Sequence, residues 1–301
     1  MRPSPILTVK GLTKTFGRGC PQCLTVTGPE RETNVCCNCG SIVACAGVSV
    51  EVYPGEIVGI VGESGSGKST IVRILHFDME PDAGEMYFNL RGTTPKANEK
   101  EKDIGPATTN QMPLMEGKNL FGLSSYQKRQ IRNGYMGIVY QHPHLGLRMD
   151  VSSGGNVAEK LVMANWRSIA QIRQRASSLL KKMEVPSERM DEPPKNFSGG
   201  MQQRVQIAKA LSNQPLILLL DEVTSGLDVS VQARVLDLIR NLQQELHLAM
   251  LVISHDLGVI RLLSQRTMVM KFGRVVEAGL TDQVLEDPQH PYTQMLVSSQ
   301  L

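Results

Sequence analysis

Gly62–Ser69 reads GESGSGKS, between the apolar run EIVGIV (56–61) and the amphipathic TIVRILH (70–76). The octet fits G-x-x-x-x-G-K-[ST], and a strand before it with a helix after it is the context that gives the pattern meaning. Glycines let successive backbone N–H groups turn inward around phosphate oxygens. The following helix adds the partial positive charge of its N-terminus. Gly62, Glu63, Ser64, Gly65, Ser66, Gly67, Lys68, Ser69 and Thr70 are therefore expected to bind a nucleotide. Lys68 should reach the β- and γ-phosphates, and Ser69 should hold Mg²⁺.

Further along, PLILLLDE (215–222) is an apolar strand that ends in two acids. Burying carboxylates there is costly unless they serve a cation. Asp221 is expected in the Mg²⁺ shell and Glu222 beside the attacking water, as its base or its orienter. Between the two motifs lies FSGGMQQR (197–204), where Ser198-Gly199-Gly200 opens an amphipathic helix. A helix N-terminus of this kind is a second place for an anion.

Short β-rich runs alternate with helical patterns, which argues for an α/β core with a largely parallel sheet. ILTVKGL (6–12) reads as a strand, and 47–62 as two strands about a turn at Pro54-Gly55. A helix is expected over 68–76, mainly helical structure over 120–196, and another helix near 281–286. Residues 92–119 are polar and without period, so they read as an inserted loop. The charge of KANEKEK (96–102) is mixed, as on a solvated loop rather than a nucleic-acid patch.

The chain has 301 residues and a net charge of +3, the difference of 32 basic and 29 acidic side chains. That length buries a core without disulfides. The longest apolar runs, Leu216–Leu220 and Leu248–Ile253, are 5 and 6 residues, against the ~20 that a membrane helix needs. MRPSPILTVKG has no apolar stretch of the export type. With six cysteines beside it, a reducing cytoplasm is expected, where clustered thiols bind metal more often than they pair. Aromatics at 4% and the absence of a basic stripe argue against a nucleic-acid partner.

Taken together, these motifs resemble the ATP-binding cassette (ABC) family over nearly the whole chain outside 17–45 and 92–119. FSGGM (197–201) resembles its signature, and Gln141, which ends YMGIVYQ, its Q-loop glutamine. SGLD (225–228) resembles its D-loop, and His255, after AMLVIS, its switch histidine. Phe16 stands where the family stacks an aromatic ring on adenine. The resemblance implies a P-loop NTPase of the ABC nucleotide-binding type. That is a RecA-like core with an antiparallel β edge and a helical signature subdomain over 142–212, in one cassette spanning 1–301 with a tail at 279–301. It implies ATP hydrolysis to ADP and phosphate by Lys68, Gln141, Glu222 and His255, with Mg²⁺ on Ser69, Gln141 and Asp221. It also implies a head-to-tail homodimer in the ATP-bound state. Each ATP would then lie between Gly62–Thr70 of one copy and Ser198–Gly200 with Asp228 of the other. Val223 departs from the family, which usually has Pro there, and Met201 stands where Gln is common.

A narrower resemblance joins residues 141–163, 198–211, 226–240 and 254–271 to the ATP-binding subunits of the carbon–phosphorus lyase complex, which serve phosphonate catabolism. It implies docking on the lyase core near Gln141–Asn156. The C-terminal HPYT (290–293) resembles instead the peptide and nickel importer branch, whose partners are membrane permease subunits.

Cys20-Pro-Gln-Cys23, twelve residues, then Cys36-Cys37-Asn-Cys39 gives C-x₂-C-x₁₂-C-x₂-C within an insert over 17–45. Two tight knuckles set four thiolates at tetrahedral corners, as structural Zn²⁺ prefers. An iron–sulfur cluster or free thiols are the alternatives. Cys37 offers a different register, and Cys45 reads as a core residue.

Overall fold

The computed structural model describes residues 4–89 and 117–299. The inserted polar loop expected over 92–119 therefore lies outside the described residues, apart from its last three. The chain divides into two compact units. Of the described residues, the first comprises 4–89, Gly117–Leu123 and 250–299, and the second Ser124–Ala249.

The first unit holds two sheets. One is antiparallel, in the order β2 (Ile42–Val52), β1 (Leu7–Phe16), β4 (Ala83–Phe88). Strand β1 is longer than the expected 6–12. Its second half, LTKTF, keeps Thr and Phe, which suit a pleated edge, and pairs with β2 as far as Phe16 opposite Ile42. Residues 42–45, expected in the insert, are accordingly the first residues of β2. The other sheet runs β7 (Ala249–Ile253), β3 (Ile57–Val61), β8 (Arg266–Lys271), β9 (Arg274–Leu280). Strands β7 and β8 flank β3 in parallel, and β9 is the antiparallel edge.

All five residues of β3 are buried, at roughly 1.5–3 kcal/mol for each large aliphatic side chain. Helix α1 (Lys68–Leu75) follows directly and buries Ile71, Val72, Ile74 and Leu75. The helix expected at 281–286 is present as Thr281–Glu286, and a further helix, Pro291–Ser298, follows it. Its start is encoded locally: the His290 side chain accepts the Tyr292 N–H, and Pro291 takes the first turn, where its missing N–H costs nothing.

The second unit carries the parallel pair β5 (Met136–Val139) and β6 (Ile217–Asp221). Around it lie α2 (Ser125–Tyr135), α3 (Pro143–Gly146), α4 (Ser153–Met163), α5 (Ile169–Lys182), α6 (Gly199–Leu211) and α7 (Val229–Leu246). The expected helical region over 120–196 is thus interrupted by β5. That strand falls within YMGIVYQ, the apolar run that ends at Gln141 and reads as a strand in the sequence. In the first unit, α8 (Leu257–Leu263) follows β7. Helices α9 and α10 are Thr281–Glu286 and Pro291–Ser298. Among the described residues, no helix is long and apolar enough to cross a membrane.

Candidate functional site

In the first unit, the phosphate loop leaves the end of β3 and enters α1. Gly62 has φ 148° and Gly67 has φ 101°. A Cβ at Gly62 would run into the Met270 carbonyl oxygen, and one at Gly67 into the Ala44 carbonyl oxygen. No other residue fits either place. Lys68 is 3% exposed, and its ammonium donates to the carbonyls of Gly62 at 2.7 Å and Glu63 at 2.8 Å and to the Ser66 hydroxyl at 3.4 Å. A buried cation is thereby centred in a glycine-rich turn that leads straight into a helix N-terminus, the arrangement of an anion site. Ser69 and Thr70 follow in the first turn of α1.

Two contacts from outside the loop were not legible in the sequence. The Tyr292 hydroxyl of α10 accepts the Glu63 N–H at 3.1 Å, and the Asn34 side chain donates to the Gly65 carbonyl at 3.3 Å. Burial raises the Tyr292 hydroxyl above its ordinary pKa, so it stays protonated at neutral pH. In the same unit, His255 is exposed just beyond β7, and Asp256 after it caps α8 by accepting from Gly258 N–H at 2.7 Å. Phe16 ends β1 with 39% of its surface exposed.

In the second unit, β6 ends in Asp221, which is 3% exposed. Glu222 follows at φ 47°, a left-handed conformation for a residue with a Cβ, and such strain concentrates at working sites. The Gln141 amide donates to the Glu222 carboxylate at 2.9 Å and to the Ser225 hydroxyl at 3.4 Å. The expected pair of Gln141 and Glu222 is therefore brought together. What holds Gln141 was missed in the sequence. Two buried glutamines of α6 do so: Gln203 donates to the Gln141 carbonyl at 3.1 Å, and Gln206 accepts the Tyr140 N–H. The signal was there in MQQRVQIAKAL (201–211), where two amides fall on the buried face of a helix. Ser198 is the N-cap of α6, with Gly199 and Gly200 in its first turn, and Asp228 is the exposed N-cap of α7.

The four cysteines of the expected knuckle meet in the first unit, every sulfur within 4.8 Å of the others. Cys20 and Cys36 lie 3.6 Å apart, Cys20 and Cys23 3.6 Å, and Cys23 and Cys39 3.5 Å. A tetrahedron with Zn–S of about 2.3 Å has edges of about 3.8 Å, and a disulfide needs about 2.0 Å. The spacing suits a four-coordinate metal and excludes paired sulfurs. The Ser41 hydroxyl and backbone beside Cys39 lower its thiol to about 6. At Cys23 the Cys20 N–H favours the thiolate, but burial and the neighbouring sulfurs outweigh it and push the thiol up to about 12. One cysteine already anionic beside crowded partners is a donor set that a cation would complete. Cys37 is exposed and turned to Asn38, so the alternative register is not formed. Cys45 is buried in β2, and burial raises its thiol to about 12.

Comparison with known proteins fits this geometry. The family model described as ABC transporter matches residues 45–225. The chain is a member of the ABC family. Its cassette is of the ATP-hydrolysing kind, and ATP is its nucleotide. The "putative phosphonates utilization ATP-binding protein PhnK" of Escherichia coli K12 is 46% identical over 84% of this chain and 90% of its own length. The dipeptide transport ATP-binding protein DppF of Haemophilus influenzae is 35% identical over 86% of this chain and 70% of its own. Among solved structures, the ATP-binding cassette MJ0796, a dimer in a post-hydrolysis state bound to ADP and Pi, superposes with a TM-score of 0.70. It is 27% identical and covers 91% of this chain and 98% of its own. This ABC protein thus carries the mixed α/β cassette fold together with a four-cysteine cluster able to hold a metal.

Proposed function

We propose that this ABC protein hydrolyses ATP as a homodimer that supports a carbon–phosphorus lyase complex in phosphonate catabolism, in the cytoplasm. The observation that carries the phosphonate reading is the 46% identity to PhnK across 90% of that protein, against 35% to the dipeptide importer subunit over 70% of its length.

In this reading Lys68 and the backbone of Gly62–Thr70 hold the phosphates, and Phe16 stacks on the base. Ser69, Gln141 and Asp221 would hold Mg²⁺, which would supply positive charge against the phosphates. Glu222 and His255 orient water for attack on the γ-phosphate. Ser198–Gly200 and Asp228 of a second copy close over the same nucleotide. The Gln141–Glu222 hydrogen bond at 2.9 Å gives the metal side and the water side of the reaction one shared position.

The segment Gln141–Asn156 serves as the docking face for the lyase core. It is a built surface. Buried Asn156 accepts the Arg148 N–H at 2.8 Å and donates to the Arg148, Val151 and Ser152 carbonyls. Above that frame Leu145 and Val151 are exposed, beside the stacked rings of His142 and His144. Cys20, Cys23, Cys36 and Cys39 would hold Zn²⁺, which would staple the insert.

The test is growth on methylphosphonate as the only phosphorus source. A deletion strain should fail, wild type should restore growth, and Glu222→Gln should not. Normal growth of the deletion strain would overturn the reading in favour of an importer ATPase with permease partners.

A further inference from the structure

The four-cysteine module is fastened to the phosphate loop. The second knuckle, Cys36–Cys39, closes a narrow hairpin in which Cys36 N–H donates to the Ser41 carbonyl at 2.8 Å and Val35 pairs with Ile42. The arm that leads into this hairpin is Asn34-Val35. Asn34 takes the Val43 N–H on its carbonyl at 2.8 Å and gives its side-chain N–H to Gly65 at 3.3 Å. Val35 bridges to Ile42, and Ile42 is the strand partner of Phe16. Gly65 of the phosphate loop and Phe16 at the end of β1 are thus tied to one dipeptide that immediately precedes a sulfur of the cluster.

The rest of the module is anchored on the same side. The Ala44 carbonyl oxygen fills the space where Gly67 would carry a Cβ. The Gly273 N–H donates to the Ser66 carbonyl at 3.1 Å, and the Gly273 carbonyl accepts the Ala46 N–H at 2.8 Å. Arg274, next in the same turn, donates to the Leu24 carbonyl, just after Cys23, at 2.6 Å.

Beyond these hydrogen bonds, the packing around the arm is largely the cluster itself. The buried group there is Cys23, Cys36, Val43 and Ala46, with Cys20 and Val26 packed against it. Three of those six residues are thiols of the cluster itself. Such a core is too small to order a loop of this length without a ligand.

We infer that the cysteine module is a metal-dependent clamp on the nucleotide site. With metal on Cys20, Cys23, Cys36 and Cys39, the arm is held and Asn34 braces the tip of the phosphate loop. Loss of the metal frees the arm and weakens nucleotide binding. Asn34 is a positioning residue: it acts on the nucleotide through Gly65. The inference rests on the proposed reading of Gly62–Thr70 as the ATP site and of the four thiols as a metal site.

The experiment uses the full chain. Metal content is measured by elemental analysis, and thiolate ligation by the charge-transfer absorption of Co²⁺-substituted protein. Affinity for a fluorescent ATP analogue is then measured in metal-loaded and chelator-stripped wild type, Asn34→Ala and Asn34→Asp. One hydrogen bond lost at Gly65 is expected to weaken loaded Asn34→Ala by about three- to tenfold. Asn34→Asp, which sets a carboxylate against a carbonyl, should lose at least as much. Both should keep full metal content, which a general loss of structure would not allow. Stripping should weaken wild type by about tenfold or more, and the two variants by markedly less. Absence of bound metal and of the Co²⁺ band would overturn the metal reading and the clamp with it. Bound metal with nucleotide affinity indifferent to its removal would overturn the clamp alone. If stripped protein aggregates, wild-type affinity in loaded Asn34→Ala would overturn the clamp by itself.

Discussion

The phosphate loop and the cysteine module touch in the same unit, yet they are held by different means. The phosphate loop is an irregular turn in a rigid frame. Strand β3 is buried along its whole length before the loop, and α1 buries four apolar side chains after it. The cysteine module has no such frame, and half of its small buried cluster is sulfur. One presents N–H groups to an anion and is ordered by burial. The other gathers four thiols at a spacing that could hold a metal, and on the proposed reading that metal orders it. Substitutions at the loop should therefore damage binding and leave the fold intact, whereas substitutions at the module should damage local folding first.

The largest separation of the two regions is expected from Lys68→Ala. It removes the ammonium that reaches the Gly62 and Glu63 carbonyls inside the loop. ATP affinity should fall by about a hundredfold or more. The melting temperature should fall only modestly, because β3 and the apolar side chains of α1 are untouched while the Gly62 and Glu63 carbonyls lose a donor. Calorimetric titration with ATP and a thermal melt check both halves.

Cys36→Ser should do the opposite. With one of four thiolates gone, metal content should fall below one per chain. Limited proteolysis should cut between residues 17 and 41 while β3 and α1 stay protected. Equal resistance of wild type and variant would show that the module orders itself, and the contrast would break.

A smaller effect probes the loop from its other side. Tyr292→Phe keeps the ring and removes the acceptor of the Glu63 N–H. About a threefold rise in KM for ATP is expected, with kcat unchanged. A fall in kcat with constant KM would contradict a role in positioning the loop.

The smallest effect is a pH dependence. Burial raises the Glu277 carboxyl, but the Gln289 N–H and the His290 N–H, at 2.8 and 3.0 Å, outweigh it and lower its pKa. A depressed carboxylate contributes stability that is present above its unfolded value of about 4.3 and is lost as pH falls through the folded value. The melting temperatures of wild type and Glu277→Gln should differ at pH 7 and converge as the buffer is taken below about pH 4. A gap that widens on acidification would reverse the sign.

The same contrast explains what could be read from the sequence. The phosphate loop, the acids at the end of β6 and the Cys-x₂-Cys pairs are local patterns, each complete within a few residues. Their chemistry is written next to itself. The first strand was read short because Lys10 and Lys14 break its apolar run, although its partners β2 and β4 carry it on to Phe16. Helix α10 falls in the stretch expected as a tail, although His290 and Pro291 mark its start. Asn34 on Gly65, Tyr292 on Glu63, and Gln203 behind Gln141 span 31, 229 and 62 positions of chain. No local pattern announces a contact at such distance. These polar side chains are visible only once the fold has brought them to the site.

The central claim is that Glu222 orients the water for ATP cleavage in a nucleotide-closed dimer. It is tested most directly by light scattering and turnover of the purified Glu222→Gln variant with ATP and Mg²⁺. The account predicts a stable dimer that retains ATP and turns over at least about a hundredfold more slowly than wild type. A monomeric variant with wild-type turnover would contradict it.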